Sequence, residues 1–512
     1  MSEKLGKFFE EKSRIELGGG PEKIQKQHDS GKLTARERIN LLFDEGTFSE
    51  YGLFIKHRCH NFGMEKVDVP AEAIVTGFGE IGGRGVFAYA HDFTVMGGAA
   101  GEMQCRKIGR ILEAALEAKV PFLGLNDSGG ARIQEGVYSS YGDVFYYNVQ
   151  ASGVIPQISA IMGPCAGGAT YSPALTDFTI AVDKVSRMFI TGPEVIKAVT
   201  GEEVTAEQLG GAMAHNSISG VAHLLAVDDY DCINQVKRLL GYLPDNCYEK
   251  PPVIATSDDP NRKIEELNDF IPEDHRTTYD VKALIAHIVD NGELFEIHPY
   301  YAMNIVTGFA RMNGRPVGIV ANQPLHMAGC LDINASDKAA RFVRTCDAYN
   351  VPLISIVDVP GYLPGATQEH GGIIRHGAKM LYAWAEATVP KITVVTGKAY
   401  GGAVNAMCSR ELRADLILAW PTANRAVMGA EGAANIIFRK EIKAAEDPAA
   451  TRQKLIAQYK EEVLTPYTAA ANGKFDEIIE PAWTRKRIIA CLEIMKNKQT
   501  NRIPRRHGNM PL

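Results

Sequence analysis

The chain has 512 residues, too many for one hydrophobic core to keep growing, so two domains are expected. Hydrophobic residues make up 45% and charged residues 23%, the balance of a folded globular protein. A net charge of -6 argues against nucleic acid as a partner, because phosphate binding asks for a basic excess.

The opening stretch, Met1 to Gly20, mixes charges and is rich in Glu. A secretory signal needs an apolar centre and a transit peptide avoids acids, so neither is expected and the cytoplasm is the expected location. "GFGEIGG" (Gly77 to Gly83) reads as a hairpin, not a dinucleotide fingerprint, since no helix follows it. "GEMQCRKIGRILEAALEAK" (Gly101 to Lys119) reads as a helix with Met103, Ile108, Ile111, Leu112, Ala115 and Leu116 as its apolar stripe. "VPFLGLND" (Val120 to Asp127) and "PQISAIMG" (Pro156 to Gly163) read as short buried strands. Val144 to Thr176 carries no charge, but Pro156, Pro164 and Pro173 interrupt it, so it reads as core and not as a membrane span. Strands alternating with helices predict an α/β fold with parallel sheets covered by helices.

The chain then repeats itself. "VTGFGEIGGRGVF" at Val75 answers "VTGFARMNGRPVG" at Val306, and "AKVPFLGLNDSGG" at Ala118 answers "YNVPLISIVDVPG" at Tyr349. "ISAIMGPCAGGAT" at Ile158 answers "ITVVTGKAYGGAV" at Ile392, and "ITGPE" at Ile190 answers "VMGAE" at Val427. The order is kept and the offset drifts from 231 to 237 residues, as small loop insertions would make it. Two homologous halves follow, 1–255 and 256–512, joined near the Pro- and Asp-rich stretch from Pro251 to His275. In the second half "DKAARFVRTCDAYN" and "GGIIRHGAKMLYAWAEAT" are the predicted helices, and Asn313-Gly314 marks the matching hairpin turn. "AEDPAATRQKLIAQYKEEVL" (Ala445 to Leu464) reads as an exposed charged helix.

Each half places a glycine pair after a buried strand: Gly167 and Gly168, then Gly401 and Gly402. Glycine lets backbone N–H groups approach a ligand without a Cβ, and a helix start adds unpaired N–H groups and positive potential. Such donors hold an oxygen that gains charge in a transition state. The plain alternative is close helix–sheet packing, and occurrence in both halves favours function. A serine nucleophile at Ser128 in "NDSGG" would need a histidine base and an acid; His57, His60 and His91 lie upstream, but the second half reads "DVPG" (Asp358 to Gly361, with Pro360) there and has no serine at that place. Cys165, answered by Ala399, reads as a small buried residue. The nine cysteines form no C-x-x-C pair, so neither a disulfide framework nor a zinc site is expected.

"NDSGGARIQEG", "SGVIPQISAIMGPCAGGATYSPALTDF", "MFITGPEVIKAVTGEEV", "LDINASDKAARFVR", "VDVPGYLPGATQEHGGIIRHGAKMLYAWAEATVPKITV" and "KAYGG" together resemble the carboxyltransferase family of biotin-dependent acyl-CoA carboxylases. The likeness runs from "KLTARERINLLFDEGTFSE" to "HGNMPL" and is to the propionyl-CoA carboxylase β, methylmalonyl-CoA decarboxylase α and large transcarboxylase subunits. The resemblance implies two crotonase-like (ClpP/crotonase) ββα-superhelix domains from an internal duplication, a homohexamer, and an active site shared between protomers. It implies that Gly167 and Gly168 hold the thioester oxygen as an enolate and that Gly402 and Ala403 hold the ureido oxygen of biotin. Ser128, Gly129, Gly130, Ala131, Arg132, Val404 and Asn405 fall on its substrate side, and Gly361, Gly371, Gly372 and Ile373 on its biotin side.

The implied reaction moves a carboxyl group between carboxybiotin and the α-carbon of a short acyl-CoA, propionyl-CoA and methylmalonyl-CoA being the expected pair. The alternatives are a subunit of a Na+-translocating methylmalonyl-, glutaconyl- or malonyl-CoA decarboxylase, peripheral to the membrane, and a transcarboxylase subunit. No metal is expected. The chain has no biotinyl segment, since the Met-Lys of "IMKNK" (Ile494 to Lys498) lies in an apparent helix. Biotin is therefore expected on a partner, a biotin carboxyl carrier or another biotin-carrying subunit, alongside a biotin carboxylase or membrane decarboxylase subunits. Relatives usually carry Arg, Tyr and Asp where this chain has Gly397, Val404 and Asn405, which implies an altered acyl pocket.

Overall fold

The computed structural model describes residues 2–136, 141–272, 277–500 and 502–512. The chain divides into two compact units, Met1–Lys250 and Pro251–Leu512. The first unit holds strands β1 (Ser49–Glu50), β2 (Ile74–Ile81), β3 (Arg84–His91), β4 (Phe122–Ser128), β5 (Gln157–Ala166), β6 (Phe178–Val182), β7 (Arg187–Phe189) and β8 (Leu224–Ala226). Their order in the sheet is β1-β2-β3-β4-β5-β6-β8, with β7 attached to β5. The second unit holds β9 (Phe295–Ile297), β10 (Ile305–Met312), β11 (Arg315–Asn322), β12 (Leu353–Val359), β13 (Lys391–Tyr400), β14 (Leu416–Ala419), β15 (Asn424–Ala426) and β16 (Glu477–Ile478). Its sheet order repeats the first from the other end of the list, β16-β14-β13-β12-β11-β10-β9, with β15 attached to β13.

Each sheet begins with an antiparallel hairpin and continues in parallel. Both hairpins turn on two residues with positive φ, Gly82 (58°) and Gly83 (74°), then Asn313 (52°) and Gly314 (76°). That is the mirror-image turn whose twist matches the flanking strands. The parallel strands are buried on both faces, as β4 is along its whole length.

The helix after the first hairpin runs Glu102–Ala118, and its buried face differs from the predicted stripe. Cys105, Ile108, Ile111, Leu112 and Ala115 are buried, but so are Gln104 and Lys107, while Met103 and Leu116 are half-buried. The polar pair sits inside because carbonyls meet it: Lys107 Nζ donates to Ala71 and Ile74 at 2.8 Å, and Gln104 Nε2 to Glu72 at 3.1 Å. Strand β5 also outruns its predicted end at Gly163. It pairs first with β6 (Ile158 to Ile161) and then with β7 (Pro164 to Ala166). Strand β13 makes the same handover from β14 to β15. Beside each handover the neighbouring strand slips register, between Asn126 and Ser128 in β4 and between Val357 and Val359 in β12.

The slipped residues are Asp127 and Asp358. Asp127 is fully buried and accepts Lys32 Nζ (3.0 Å), Arg38 Nη1 (2.9 Å) and Gln27 Nε2 (2.9 Å). Arg38 also donates to Asp229 (2.8 Å) and to the Met162 carbonyl (2.8 Å). Burial alone would lower the Arg38 pKa, yet Asp127 and Asp229 hold it above its ordinary value. In the second unit Asp358 accepts Tyr279 Oη (3.1 Å) and the Lys398 N–H (2.8 Å).

The Pro- and Asp-rich stretch read as a joining segment packs on the second unit, since Ile264 and Leu267 are buried in that unit's core; residues 273–275 lie outside the described residues. The charged C-terminal helix, Pro448–Glu462, is mostly exposed but buries Leu455 and Ile456. Among the described residues no helix is long and apolar enough to cross a membrane.

Candidate active site

Strand β5 ends at Ala166 and the chain turns through Gly167, whose φ is +61°. A tight helical turn, Gly167–Thr170, leads into a short helix, Tyr171–Leu175. Thr170 Oγ1 donates to the Gly167 carbonyl (2.7 Å) and fixes the turn. The Gly167 and Gly168 N–H groups precede any carbonyl of the turn that could accept them. Both residues are half-buried, and a Cβ on Gly168 would lie 3.3 Å from the Tyr141 ring. Thr170 and Tyr171 line a cavity of about 590 Å³ with Met188, Phe189, Ile190 and Ile196.

Strand β13 ends at Tyr400, and Gly401 repeats the same φ of +61°. The Gly401 N–H is engaged by the Ala426 carbonyl (3.0 Å), and the first helical bonds run from Asn405 and Ala406 back to Gly402. The N–H groups of Gly402 and Ala403 therefore stand ahead of the helix Ala403–Ala406. Gly402 is exposed and Ala403 buried. Counted from the repeat, Gly402 answers Gly168 and Ala403 answers Ala169, so the donor pairs predicted for the two halves are one residue out of step.

This second turn opens on a cavity of about 720 Å³ lined by Gly401, Gly402, Val404, Asn405, Glu411 and Arg425, among others. Asn405 Oδ1 is buried there with no hydrogen-bond partner among the described residues. Glu411 accepts Lys474 Nζ (2.6 Å) and Arg425 Nη2 (3.2 Å). Burial would raise its carboxyl, but Lys474 and Arg425 pull it far below the usual carboxylate range.

The predicted substrate segment lies beside the first turn. Ser128 is fully buried; its Oγ donates to the Gly98 carbonyl (2.7 Å) and accepts the Gly130 N–H (3.2 Å), so its recorded partners are backbone groups and not an imidazole. Gly129 N–H donates to Gly97 (2.9 Å), and Ala131 is exposed. Gly130 packs so closely that a Cβ there would lie 2.9 Å from the Ala166 carbonyl oxygen. Arg132 is 3% exposed, and its guanidinium is taken up by Glu72 and Glu135 because two buried carboxylates face it. Cys165 is fully buried and its thiol is pushed up to about 12 by burial.

On the predicted biotin side, Gly361 carries a φ of +150° and accepts the Leu331 N–H (3.1 Å). Gly372, with φ +93°, starts the helix Ile373–Glu386, in which Ile373 is buried. A Cβ on Gly371 would lie 2.6 Å from Ile333. These residues are bound up in the turn and its packing. Gly397 lies against Asp358, where a Cβ would come within 2.6 Å of the carboxylate, as one on Gly163 would come within 1.9 Å of Asp127. Sequence reading missed Glu72 and Tyr141. A signal for the first was present, since Lys107 and Lys338 stand at the same place in the two repeats. Among the described residues no group of three or more His, Cys, Asp or Glu could hold a metal ion.

Matching glycine turns, each with a φ of +61° at its first glycine, follow strands β5 and β13 of a duplicated βα scaffold. The chain belongs to the carboxyl transferase domain family, which matches residues 26–510. It is 57% identical over 513 residues to the methylmalonyl-CoA decarboxylase subunit alpha of Propionigenium modestum, covering 100% of this chain and 99% of that one. It is 53% identical over 502 residues to the mitochondrial propionyl-CoA carboxylase beta chain of Homo sapiens, covering 97% and 91%. The crystal structure of transcarboxylase 12S, a hexamer assembly with methylmalonyl-coenzyme A and methylmalonic acid bound, superposes with a TM-score of 0.97 at 56% identity, covering 100% of this chain and 99% of that one. The α/β fold of two crotonase-like parallel-sheet domains is thus that of the carboxyltransferases, and the chain is an enzyme of that class.

Proposed function

We propose that this chain is the carboxyltransferase subunit of a biotin-dependent system, moving a carboxyl group between carboxybiotin and the α-carbon of a short acyl-CoA. Propionyl-CoA and methylmalonyl-CoA form the substrate pair, biotin arrives on a partner subunit, and the chain works as a homohexamer in the cytoplasm. The observation that carries this reading is the repeated turn: the same φ of +61° at Gly167 and Gly401, each beside a cavity.

The second turn fits the biotin ureido group on its own features. Gly402 is exposed, nothing lies within 4 Å of its missing Cβ, and the Asn405 carbonyl oxygen is buried without a partner that a ureido N–H would supply. Bound there, biotin supplies the transferable carboxyl group. The N–H groups of Gly402 and Ala403 hold its oxygen and keep it aimed. At the first turn the N–H groups of Gly167 and Gly168 hold the thioester oxygen as negative charge gathers on it when methylmalonyl-CoA gives up its carboxyl group as CO2 and the bond's electron pair stays on the α-carbon. Each such donor lowers the barrier by on the order of 3 kcal/mol. The cavity lined by Met188, Phe189 and Ile190 offers the acyl group an apolar wall.

The test uses purified protein, free biotin and methylmalonyl-CoA, with malonyl-CoA and glutaconyl-CoA in parallel, and mass spectrometry of the thioester product. Biotin-dependent loss of CO2 from one of them is expected. A folded oligomer that turns over none of the three would refute the reading. Val404 and Asn405 line the second cavity, so Val404→Tyr with Asn405→Asp should reorder the three substrates; an unchanged ranking would clear both residues of any part in choosing the acyl group.

A further inference from the structure

Three consecutive non-glycine residues, Ala71, Glu72 and Ala73, hold left-handed backbone, with φ of 48°, 61° and 58°. Even an isolated residue in that region is uncommon, because its Cβ crowds the following carbonyl. The fold therefore over-determines this segment. Lys107 Nζ clamps the carbonyls of Ala71 and Ile74, and Gln104 Nε2 that of Glu72.

The segment delivers the Glu72 carboxylate to Arg132. Nη1 donates to Oε1 at 2.8 Å and Nη2 to Oε2 at 3.0 Å, a bidentate pair in which both side chains are fully buried. Nη1 also donates to Glu135 (2.7 Å) and Nη2 to the Ala99 carbonyl (3.1 Å). Glu135 in turn accepts the N–H of Glu102 at the start of the long helix (2.7 Å). Through its backbone N–H, Arg132 grips Ala100 (2.8 Å), and Ala100 grips Gly130 (2.8 Å). Gly130 leans on the carbonyl of Ala166, the residue before Gly167.

The arrangement belongs to one repeat only. Lys338 repeats Lys107, clamping the carbonyls of His298 and Tyr301 at 2.8 Å. The residue answering Glu72 is Met303, 46% exposed, and the one answering Arg132 is Leu363. The lysine clamp is thus part of the duplicated scaffold, whereas the Glu–Arg pair occurs in the first unit alone.

We propose that Glu72 is a positioning residue for the acyl-CoA half-reaction, setting the Gly129–Arg132 loop against the Gly167 turn through its bidentate hold on Arg132. This rests on the reading of that turn as the thioester-oxygen site. Glu72→Gln keeps the shape but turns an amide N–H toward the guanidinium. A loop displaced by about 1 Å at a reacting site lowers rate on the order of a hundredfold. The test measures biotin-dependent decarboxylation of methylmalonyl-CoA by the purified oligomer, with separate titrations of thioester and biotin. Expected is a fall in kcat/KM for the thioester of about 10- to 100-fold, with KM for biotin held within about twofold. Wild-type kinetic constants in a folded Glu72→Gln oligomer, or equal changes in both KM values, would overturn the proposal. If that variant does not assemble, Arg132→Lys, which keeps the charge and loses the fork, is read by the same split. An inactive wild type would instead sink the carboxyltransferase reading on which the proposal stands.

Discussion

Gly402→Ala separates a glycine needed for a ligand from one needed for packing. At Gly402 φ is -67° and ψ is -22°, ordinary right-handed helical values that alanine adopts freely. No atom lies within 4 Å of where the new Cβ would sit. Folding therefore loses nothing, and the less flexible unfolded chain should leave the variant about 0.4–1 kcal/mol more stable. Activity should move the other way. The methyl group enters the cavity shared with Asn405 and Arg425, where a bound oxygen has to reach the N–H groups of Gly402 and Ala403. Losing one such donor costs roughly 3 kcal/mol, about a hundredfold in kcat. The assay is biotin-dependent decarboxylation alongside thermal melting and light scattering for the oligomer. Gly401→Ala is the contrast: its φ of +61° and the Val427 carbonyl 3.3 Å from the new Cβ predict loss of stability as well. A Gly402→Ala oligomer with wild-type kcat would refute the oxygen-holding role, and one that melts early with activity kept would make Gly402 a packing residue.

Gly163→Ala forces a methyl group to within 1.9 Å of Asp127 Oδ1 and breaks its pairing with Lys32 and Arg38. Opening a buried ion pair costs about 3–5 kcal/mol, read from the urea midpoint; a loss below about 1 kcal/mol would show the network can shift intact. His91 is buried and its imidazole is pushed from 6.5 to about 4 by burial. Below the ordinary value the unfolded chain takes up a proton that the folded chain refuses, so stability falls as pH drops from about 6.5 to about 4, by about 3 kcal/mol. His91→Phe should flatten that part of the profile of urea midpoint against pH, and an unchanged slope would assign it to other groups.

The sequence spelled out whatever depends on short-range chemistry. Gly82-Gly83 and Asn313-Gly314 announce hairpins because such residues accept two positive φ values in a row with the least strain. The repeat announces the doubled sheet, since three of the matched segments lie on β2–β5 and β10–β13 and the fourth follows β7 and β15. What stayed hidden depends on partners far along the chain. Pro164 looks like a strand end, yet β5 continues through it because β7 takes over there from β6. Lys107 looks like a solvent residue on a helix, yet carbonyls freed by a left-handed turn more than thirty positions upstream draw it inside. Arg132 looks like a hand for an anionic ligand, and only the fold shows Glu72 already holding it.

The two glycine turns share a backbone but not a lining, and that difference bears on what each one holds. Thr170 and Tyr171 follow the first turn where Val404 and Asn405 follow the second, and Phe189 and Ile190 stand where Ala426 and Val427 do. Around the first, Met188, Ile196, Leu209 and Val221 complete an apolar wall. Around the second, Glu411 is clasped by Arg425 and Lys474, leaving one positive charge in excess beside an unpartnered amide oxygen. On the proposed reading both turns perform one act, the holding of an oxygen that gains charge. Choice of ligand must then come from side chains. An apolar wall suits an alkyl group next to a thioester, and a polar cavity with a net cation suits a ureido group that carries a carboxylate. Exchanging linings should therefore change which ligand binds weakly while leaving the turns alone. Val404→Thr with Asn405→Tyr, which puts the residues of the first turn on the second, begins that exchange.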